Sequence, residues 1–222
     1  MVLDCNDPRF VFIKTRKTGG TSVEMALQKA AAISDAPVIE QTDAVTALRK
    51  LPADQASPRG RIRYTHMPAA GMRQHLGPKQ RNDSTIIATV RNPFARMIPP
   101  FHLCRSRNGA APLTDIASTR AEFLEFLQSD SWGDDREVVT IDGEHIVDAA
   151  IRLEHLPGDT ADVCDQLGLQ RDPADMPITK STKALRSGLG IADHPTPPAV
   201  SIVQDRMAWV LDHYDDPETP LH

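Results

Sequence analysis

The stretch Phe10–Ala30, FVFIKTRKTGGTSVEMALQKA, changes its hydrophobic period part-way along. Phe10 to Lys14 is a short apolar run, the pattern of a buried strand. After Gly19-Gly20 the apolar residues Val23, Ala26 and Leu27 recur at the spacing of one helix face. Thr21-Ser22-Val23-Glu24 sets a hydroxyl three residues before a glutamate, the spacing of a capping box. The stretch reads as strand, glycine turn, helix. The pattern recurs at Ser84 to Arg91, STIIATVR, where Ile86, Ile87 and Val90 make a second buried strand. Asn92 then stands where an N-cap belongs and Pro93 at the first helical position. A third unit is a strand over Asp148 to Leu153 and a helix over Asp159 to Leu167 that stops at Gly168. Ile62 to Thr65 is a fourth strand candidate, leading to His66. Parallel strands need long crossovers, and helices supply them. The alternation therefore predicts an α/β fold with a largely parallel central sheet.

The rest of the chain is less regular. Asp43 to Lys50 and Arg120 to Gln128 read as helices, and Ala199 to Tyr214 as a final helix. Pro52 to Arg61 and Asp193 to Pro198 read as loops. With 222 residues the expectation is a single domain, 1–222. Apolar residues at 40% and charged residues at 25% fit a folded globular chain rather than a disordered one. A net charge of -5 argues against nucleic-acid binding as the main activity. Cys5, Cys104 and Cys164 match neither a zinc spacing nor a disulfide framework, so they are expected as thiols in a reducing compartment. No apolar run approaches membrane-spanning length, and MVLDCNDPRF lacks the charged-then-apolar order of an export signal. The expected location is cytoplasmic.

A glycine turn between a strand and a helix has one well-defined chemical use. The glycines let backbone N–H groups approach an oxyanion, and the helix N-terminus adds partial positive charge. Lys17 adds a full charge, and Thr21 and Ser22 add hydroxyl donors. The nucleotide-triphosphatase loop places its lysine after the glycines; here the lysine precedes them. The competing reading is a solvated turn leading into a capped helix, and the spacing leaves both open.

Lys17-Thr18-Gly19-Gly20-Thr21-Ser22 resembles the 5′-phosphosulfate loop of sulfotransferases, usually Pro-Lys-Thr-Gly-Gly-Thr-Ser. Val90-Arg91-Asn92-Pro93-Phe94-Ala95-Arg96 resembles that family's 3′-phosphate element, an Arg-Asn-Pro at a strand end. The two motifs stand in the family's order and at about its distance. Tyr64-Thr65-His66 is similar to the short segment carrying the acceptor-side histidine, and Arg152-Leu153-Glu154-His155-Leu156 to the Arg-Phe-Glu-Asn-Leu strand of bacterial and carbohydrate-type members. The resemblance spans roughly residues 10–168. It implies a three-layer α/β/α fold of the nucleotide-kinase kind. It also implies sulfuryl transfer from 3′-phosphoadenosine 5′-phosphosulfate to a hydroxyl or amine, without a metal. The acceptor would be a small molecule or a carbohydrate. Arg16, Lys17, Thr18, Gly19, Gly20, Thr21, Ser22 and Arg91 would then hold the donor. Lys17 would stabilise the departing phosphate, and His66 would act as base, with His102 a weaker candidate.

Two positions depart from the family's pattern. Arg16 replaces the proline before the lysine, which is expected to loosen the turn. Pro99 stands eight residues after Arg91, where the family has a serine on the 3′-phosphate, and Pro100 follows it. The paired prolines predict a helix that bends or restarts. They also open an alternative, a nucleotide-binding protein of the same fold with weak or lost catalysis. Lys180-Ser181-Thr182-Lys183 with Arg186 reads either as a substitute basic loop or as a solvated charge run.

Overall fold

The structure, a computed structural model, describes residues 2–33, 55–57, 60–62, 67–76, 82–129, 132–170, 186 and 188–214. The helix expected at 43–50, residues 63–65 with His66 after them, and the basic residues 180–183 lie outside the described residues. The chain forms two compact units. One comprises Met1–Val90 and Asp135–Thr179, the other Arg91–Asp134 and Lys180–His222.

In the first unit the chain runs through β1 (Val2–Asn6), β2 (Arg9–Ile13), α1 (Gly20–Ala30), β3 (Gln55–Ser57), β4 (Gly60–Ile62), α2 (Ala69–His75) and β5 (Thr85–Val90). The second unit then contributes α3 (Pro93–Arg107) and α4 (Ile116–Gln128). The first resumes with α5 (Arg136–Val139), a small hairpin β6 (Thr140–Ile141) and β7 (Glu144–His145), β8 (Ala149–Arg152), a 3₁₀ turn over Leu153–His155 and α6 (Leu156–Gln166). The second closes with α7 (Pro197–Arg206) and α8 (Ala208–Leu211).

The first unit is mixed α/β. Its six-stranded sheet has the order β3-β4-β1-β2-β5-β8. β2, β5 and β8, the strands foreseen from the recurring apolar runs, pair in parallel. β1, β3 and β4 add an antiparallel flank. The loop expected over residues 52–61 is thus corrected to include a short hairpin, β3–β4. β1 carries no clear period of its own, because VLDCN is only five residues long and Asp4 interrupts its apolar residues. Its partner strand explains it: Leu3 lies opposite Phe12 and Cys5 opposite Phe10, and all four are fully buried. Side chains alternate between faces along a strand. Leu3, Cys5, Phe10, Phe12, Ile87 and Ile151 share one face and form a core with Val23 and Leu27 of α1 and Val163 and Cys164 of α6. Burying each of the large side chains contributes roughly 1.5–3 kcal/mol. α6 ends as foreseen, with Gly168 at φ 67 and the Leu169 N–H bonded to the Cys164 carbonyl at 2.8 Å.

In the second unit Asn92 caps α3, its side-chain oxygen accepting from the Ala95 N–H at 3.2 Å, with Pro93 at the first turn. The expected restart at Pro99-Pro100 does not occur: α3 runs through both prolines to Arg107 as one helix. Proline removes a helical donor, yet the helix continues, with Pro99 buried alongside Met97, Ile98 and Phe101 and Pro100 half-buried. α4 starts at Ile116 because Asp115 caps it, accepting from the Ser118 N–H at 2.7 Å. The long final helix expected over 199–214 is two helices, broken at Met207. Phe101, Phe123 and Phe126 form an aromatic cluster with His102 and His194. Nearby, Arg206 lies 3.9 Å from the Trp132 ring centre, and Trp209 donates to the Asp134 carbonyl at 3.1 Å.

Candidate functional site

β2 ends at Ile13 and α1 begins at Gly20, so residues 14–19 form the turn. Lys17 is exposed and has left-handed backbone, φ 64. Gly19 is the N-cap of α1, also left-handed at φ 77 and ψ 4. A left-handed residue followed by a helical one turns successive N–H groups toward one concavity. The first turn of a helix adds further N–H groups without intrahelical acceptors.

The capping box expected at Thr21–Glu24 is corrected. α1 begins before Thr21, and its N-cap makes no side-chain cap hydrogen bond. Thr21 and Ser22 are buried in the first helical turn, 6% and 5% exposed. Glu24 is 1% exposed and faces inward, its Oε2 3.4 Å from Lys14 Nζ, which is itself buried. The carboxylate thus meets a buried cation instead of reaching back to the helix start.

Both glycines are dictated by their neighbours. A Cβ on Gly19 would lie 2.6 Å from Leu153 Cδ1, and its positive φ disfavours any side chain. A Cβ on Gly20 would lie 2.5 Å from Lys14 Cγ and 2.9 Å from Thr89 Oγ1. The segment Arg152–Leu156, singled out by resemblance, therefore reaches the turn through Leu153. Arg152 is held in its turn by Asp159, whose oxygens accept from Arg152 Nε at 2.8 Å, from Nη2 at 3.1 Å and from the backbone N–H at 2.9 Å. Burial pulls the Asp159 carboxyl upward, but the Arg152 hydrogen bonds and charge outweigh it and leave its pKa below the usual value.

A clamp that sequence reading missed fixes the turn to β5. Thr15, Thr18 and Thr89 are buried, the last completely. Thr15 Oγ1 lies 2.5 Å from the Thr89 carbonyl, Thr18 Oγ1 lies 3.0 Å from the Thr15 carbonyl, and the Thr18 and Thr89 hydroxyls are 2.7 Å apart. Each hydroxyl has one proton. The set is satisfied when Thr15 and Thr18 donate to the two carbonyls and Thr89 donates to Thr18. Thr89 stands two residues after Ile87, shares its face and so points to the α1 side. That parity was visible in STIIATVR, but nothing in the sequence named its partners.

Arg16 does not loosen the turn, contrary to expectation. Its backbone N–H donates to Asp135 Oδ2 at 2.6 Å, and its guanidinium pairs with Asp135 Oδ1. Proline could not make the first of these bonds. Asp135, 1% exposed, has φ 62 and caps the start of α5.

Residues 16–22 are therefore gathered at one strand–helix junction. Arg91, half-buried, directly follows β5 and opens the second unit. His66 lies outside the described residues. His102 is a buried core histidine, 3% exposed, with its Nε2 2.9 Å from His194 Nε2. Away from the turn, a cavity of about 310 Å³ is lined by Met72, Leu76, Ile86, Ile141 and Ile146, with Arg73 and Asn82. It sits by the start of β5, whereas the turn lies beyond the end of β2. Among the described residues no helix is long and apolar enough to cross a membrane. No family model and no curated protein matches the chain.

Proposed function

We propose that this chain is a sulfotransferase, moving a sulfuryl group from 3′-phosphoadenosine 5′-phosphosulfate to a hydroxyl or amine of a small-molecule or carbohydrate acceptor. The observation that carries the reading is the built turn after β2. Left-handed Lys17 and Gly19 lead into a helix N-terminus, and the turn is tied down on both sides by the threonine clamp and by Asp135. A turn fixed this firmly supports a pre-organised anion site rather than a solvated connection.

In this reading the donor supplies an activated sulfuryl group with a phosphate behind it. Lys17 neutralises the charge that builds on that phosphate, and backbone N–H groups from Gly19 to Ser22 bind its oxygens. Thr18 keeps the turn against β5 through its hydroxyl. Arg16 and the buried Thr21 and Ser22 hydroxyls shape the same turn. Arg91 takes the 3′-phosphate, and His66 removes the acceptor proton. No step needs a metal. The finer fold assignment, three layers of the nucleotide-kinase kind, belongs to the same proposal. α1 and α6 cover one face of the sheet, and α2 shares a cavity wall with Ile86, which points to the other.

Lys17→Ala tests it. Loss of one transition-state donor lowers turnover by roughly 100- to 1000-fold, read as labelled sulfate passed to acceptors in a metabolite extract. Wild-type turnover in the variant overturns the assignment. One observation favours a second reading. Pro99 is buried within the unbroken α3, so no hydroxyl is offered at that position. A protein that binds 3′-phosphoadenosine 5′-phosphate, but transfers no label to any acceptor, would be the nucleotide-binding relative with lost catalysis.

A further inference from the structure

The stretch Lys14–Lys17 carries three cations, Lys14, Arg16 and Lys17, and two of them face buried carboxylates. Lys14 meets Glu24 inside the core. Arg16 meets Asp135, which accepts from both its backbone N–H and its guanidinium, while Lys17 stands exposed at the tip. The Arg16 pairing is the unusual one. The Arg16 side chain is 41% exposed, whereas the Asp135 side chain is fully buried. A buried carboxylate persists only with its charge matched, so the two residues form one neutral unit.

We infer that Asp135 is a specificity-determining residue of the turn: by cancelling Arg16 it limits the charge offered to an anion and favours a phosphosulfate over the more highly charged polyphosphates. The inference rests on the reading of the turn as an anion cradle. A phosphosulfate carries one negative charge fewer than a pyrophosphate group in the same place, because its sulfuryl end has no second ionisable oxygen. A cradle with a surplus arginine would gain most with the polyphosphate. Asp135 suppresses that gain and also holds the Arg16 N–H in place, so the turn keeps its shape while losing the extra charge.

The test compares the wild type with Asp135→Asn, Arg16→Gln and the double variant. Binding of pyrophosphate and of adenosine 5′-phosphosulfate is measured by calorimetry at low and moderate salt. Asparagine keeps an oxygen for the Arg16 N–H and removes the charge. Asp135→Asn is expected to bind pyrophosphate roughly three- to thirtyfold tighter at low salt, with a steeper salt dependence. Its gain for adenosine 5′-phosphosulfate is expected to be smaller, so the preference between the two probes shifts toward pyrophosphate. The double variant returns both affinities to near wild type. A purely structural role for Asp135 would weaken both probes alike and leave their ratio fixed, and that result overturns the inference. Should Asp135→Asn fail to fold, Arg16→Gln carries the test alone. With Asp135 left charged, pyrophosphate binding falls by a similar factor, and unchanged binding overturns the proposal. A wild type that binds neither probe refutes the anion cradle itself, and this inference with it. A wild type that binds both, with an unshifted ratio in Asp135→Asn, refutes the inference alone.

Discussion

Acid should weaken the second unit well above the pH at which carboxylates are protonated. The reason is the hydrogen bond between His102 of α3 and His194. His194 Nδ1 lies 2.7 Å from the Gly190 carbonyl, which can only accept, so Nδ1 carries a proton. In the neutral ring Nε2 is then a bare acceptor, and His102 Nε2–H donates to it across 2.9 Å. Adding a proton to His194 sets two N–H groups face to face, and a charge on either ring is buried. The surroundings offer little relief. Phe101 and Phe123 meet His194 edge-on, Arg186 opposes a positive charge on either ring and Arg105 one on His102, while the Gly190 carbonyl, Asp193 and the Ile191 backbone favour it at His194. Burial first, then His194, Arg186 and Arg105, pull His102 from 6.5 down to about 4. Burial likewise lowers His194, against the opposing pull of the Gly190 carbonyl and Asp193.

The sign follows from which state takes the proton first. The unfolded chain protonates His102 below about 6.5, and in the folded unit that ring resists until about 4. The stability tied to His102 is therefore complete above 6.5, is lost as pH falls toward 4, and is lost no further below it. At about 1.36 kcal/mol per pKa unit, His102 accounts for about 3 kcal/mol over the whole window. Between pH 7 and pH 5 the loss is about 2 kcal/mol, with His194 adding in the same direction. The two rings share protons, so the titration belongs to the pair. Both tryptophans, Trp132 and Trp209, lie in the second unit, so their fluorescence reports its unfolding. With a urea slope of about 1–2 kcal/mol/M, the midpoint should drop by about 1–2 M from pH 7 to pH 5. His102→Gln keeps a donor toward His194 and cannot titrate, and it should remove at least half of the drop. A wild-type midpoint that does not move, or a drop fully retained in His102→Gln, would refute the reasoning.

Gly20→Ala should destabilise the first unit by about 1–3 kcal/mol despite alanine's better helix propensity, because its Cβ would lie 2.5 Å from Lys14 Cγ. Gly158→Ala, in α6 with nothing within 4 Å of the new Cβ, should instead stabilise by up to about 1 kcal/mol; chemical unfolding followed by circular dichroism reads both, and equal effects would sink the steric account. Thr89→Val leaves a buried Thr18 hydroxyl with one partner fewer and should cost about 1–3 kcal/mol in the same assay, a loss under 0.5 kcal/mol (roughly the noise level for neutral substitutions) counting against the clamp. Pro99→Ser should tighten 3′-phosphoadenosine 5′-phosphate by roughly tenfold or more and leave adenosine 5′-phosphate unchanged in calorimetry, if the new hydroxyl meets the 3′-phosphate. Equal tightening of both ligands would point to a general relaxation of α3.

The periodic signals in this chain were legible because they are local. Phe10–Lys14 and STIIATVR read as strands, and Asn92-Pro93 as a helix start, since a few neighbouring residues suffice to state a period or a cap. Lys17-Thr18-Gly19-Gly20 likewise announced a turn, because glycine pairs between a strand and a helix have few uses. The antiparallel flank was not legible: β1 is five residues long, with Asp4 interrupting its apolar residues, and owes its place to pairing with β2, and β3 and β4 are each three residues long. The sequence could name Arg16 as a departure, but not the aspartate 119 residues later that absorbs its charge and accepts from its N–H. Nor could it reveal that Glu24 turns inward to Lys14, that Leu153 closes over Gly19, or that three threonines share their protons between the turn and β5. Charge matching and close packing join residues distant along the chain. A periodicity reports only what a residue does with its neighbours, so the partners that turn a glycine loop into a rigid cradle are decided by the tertiary structure.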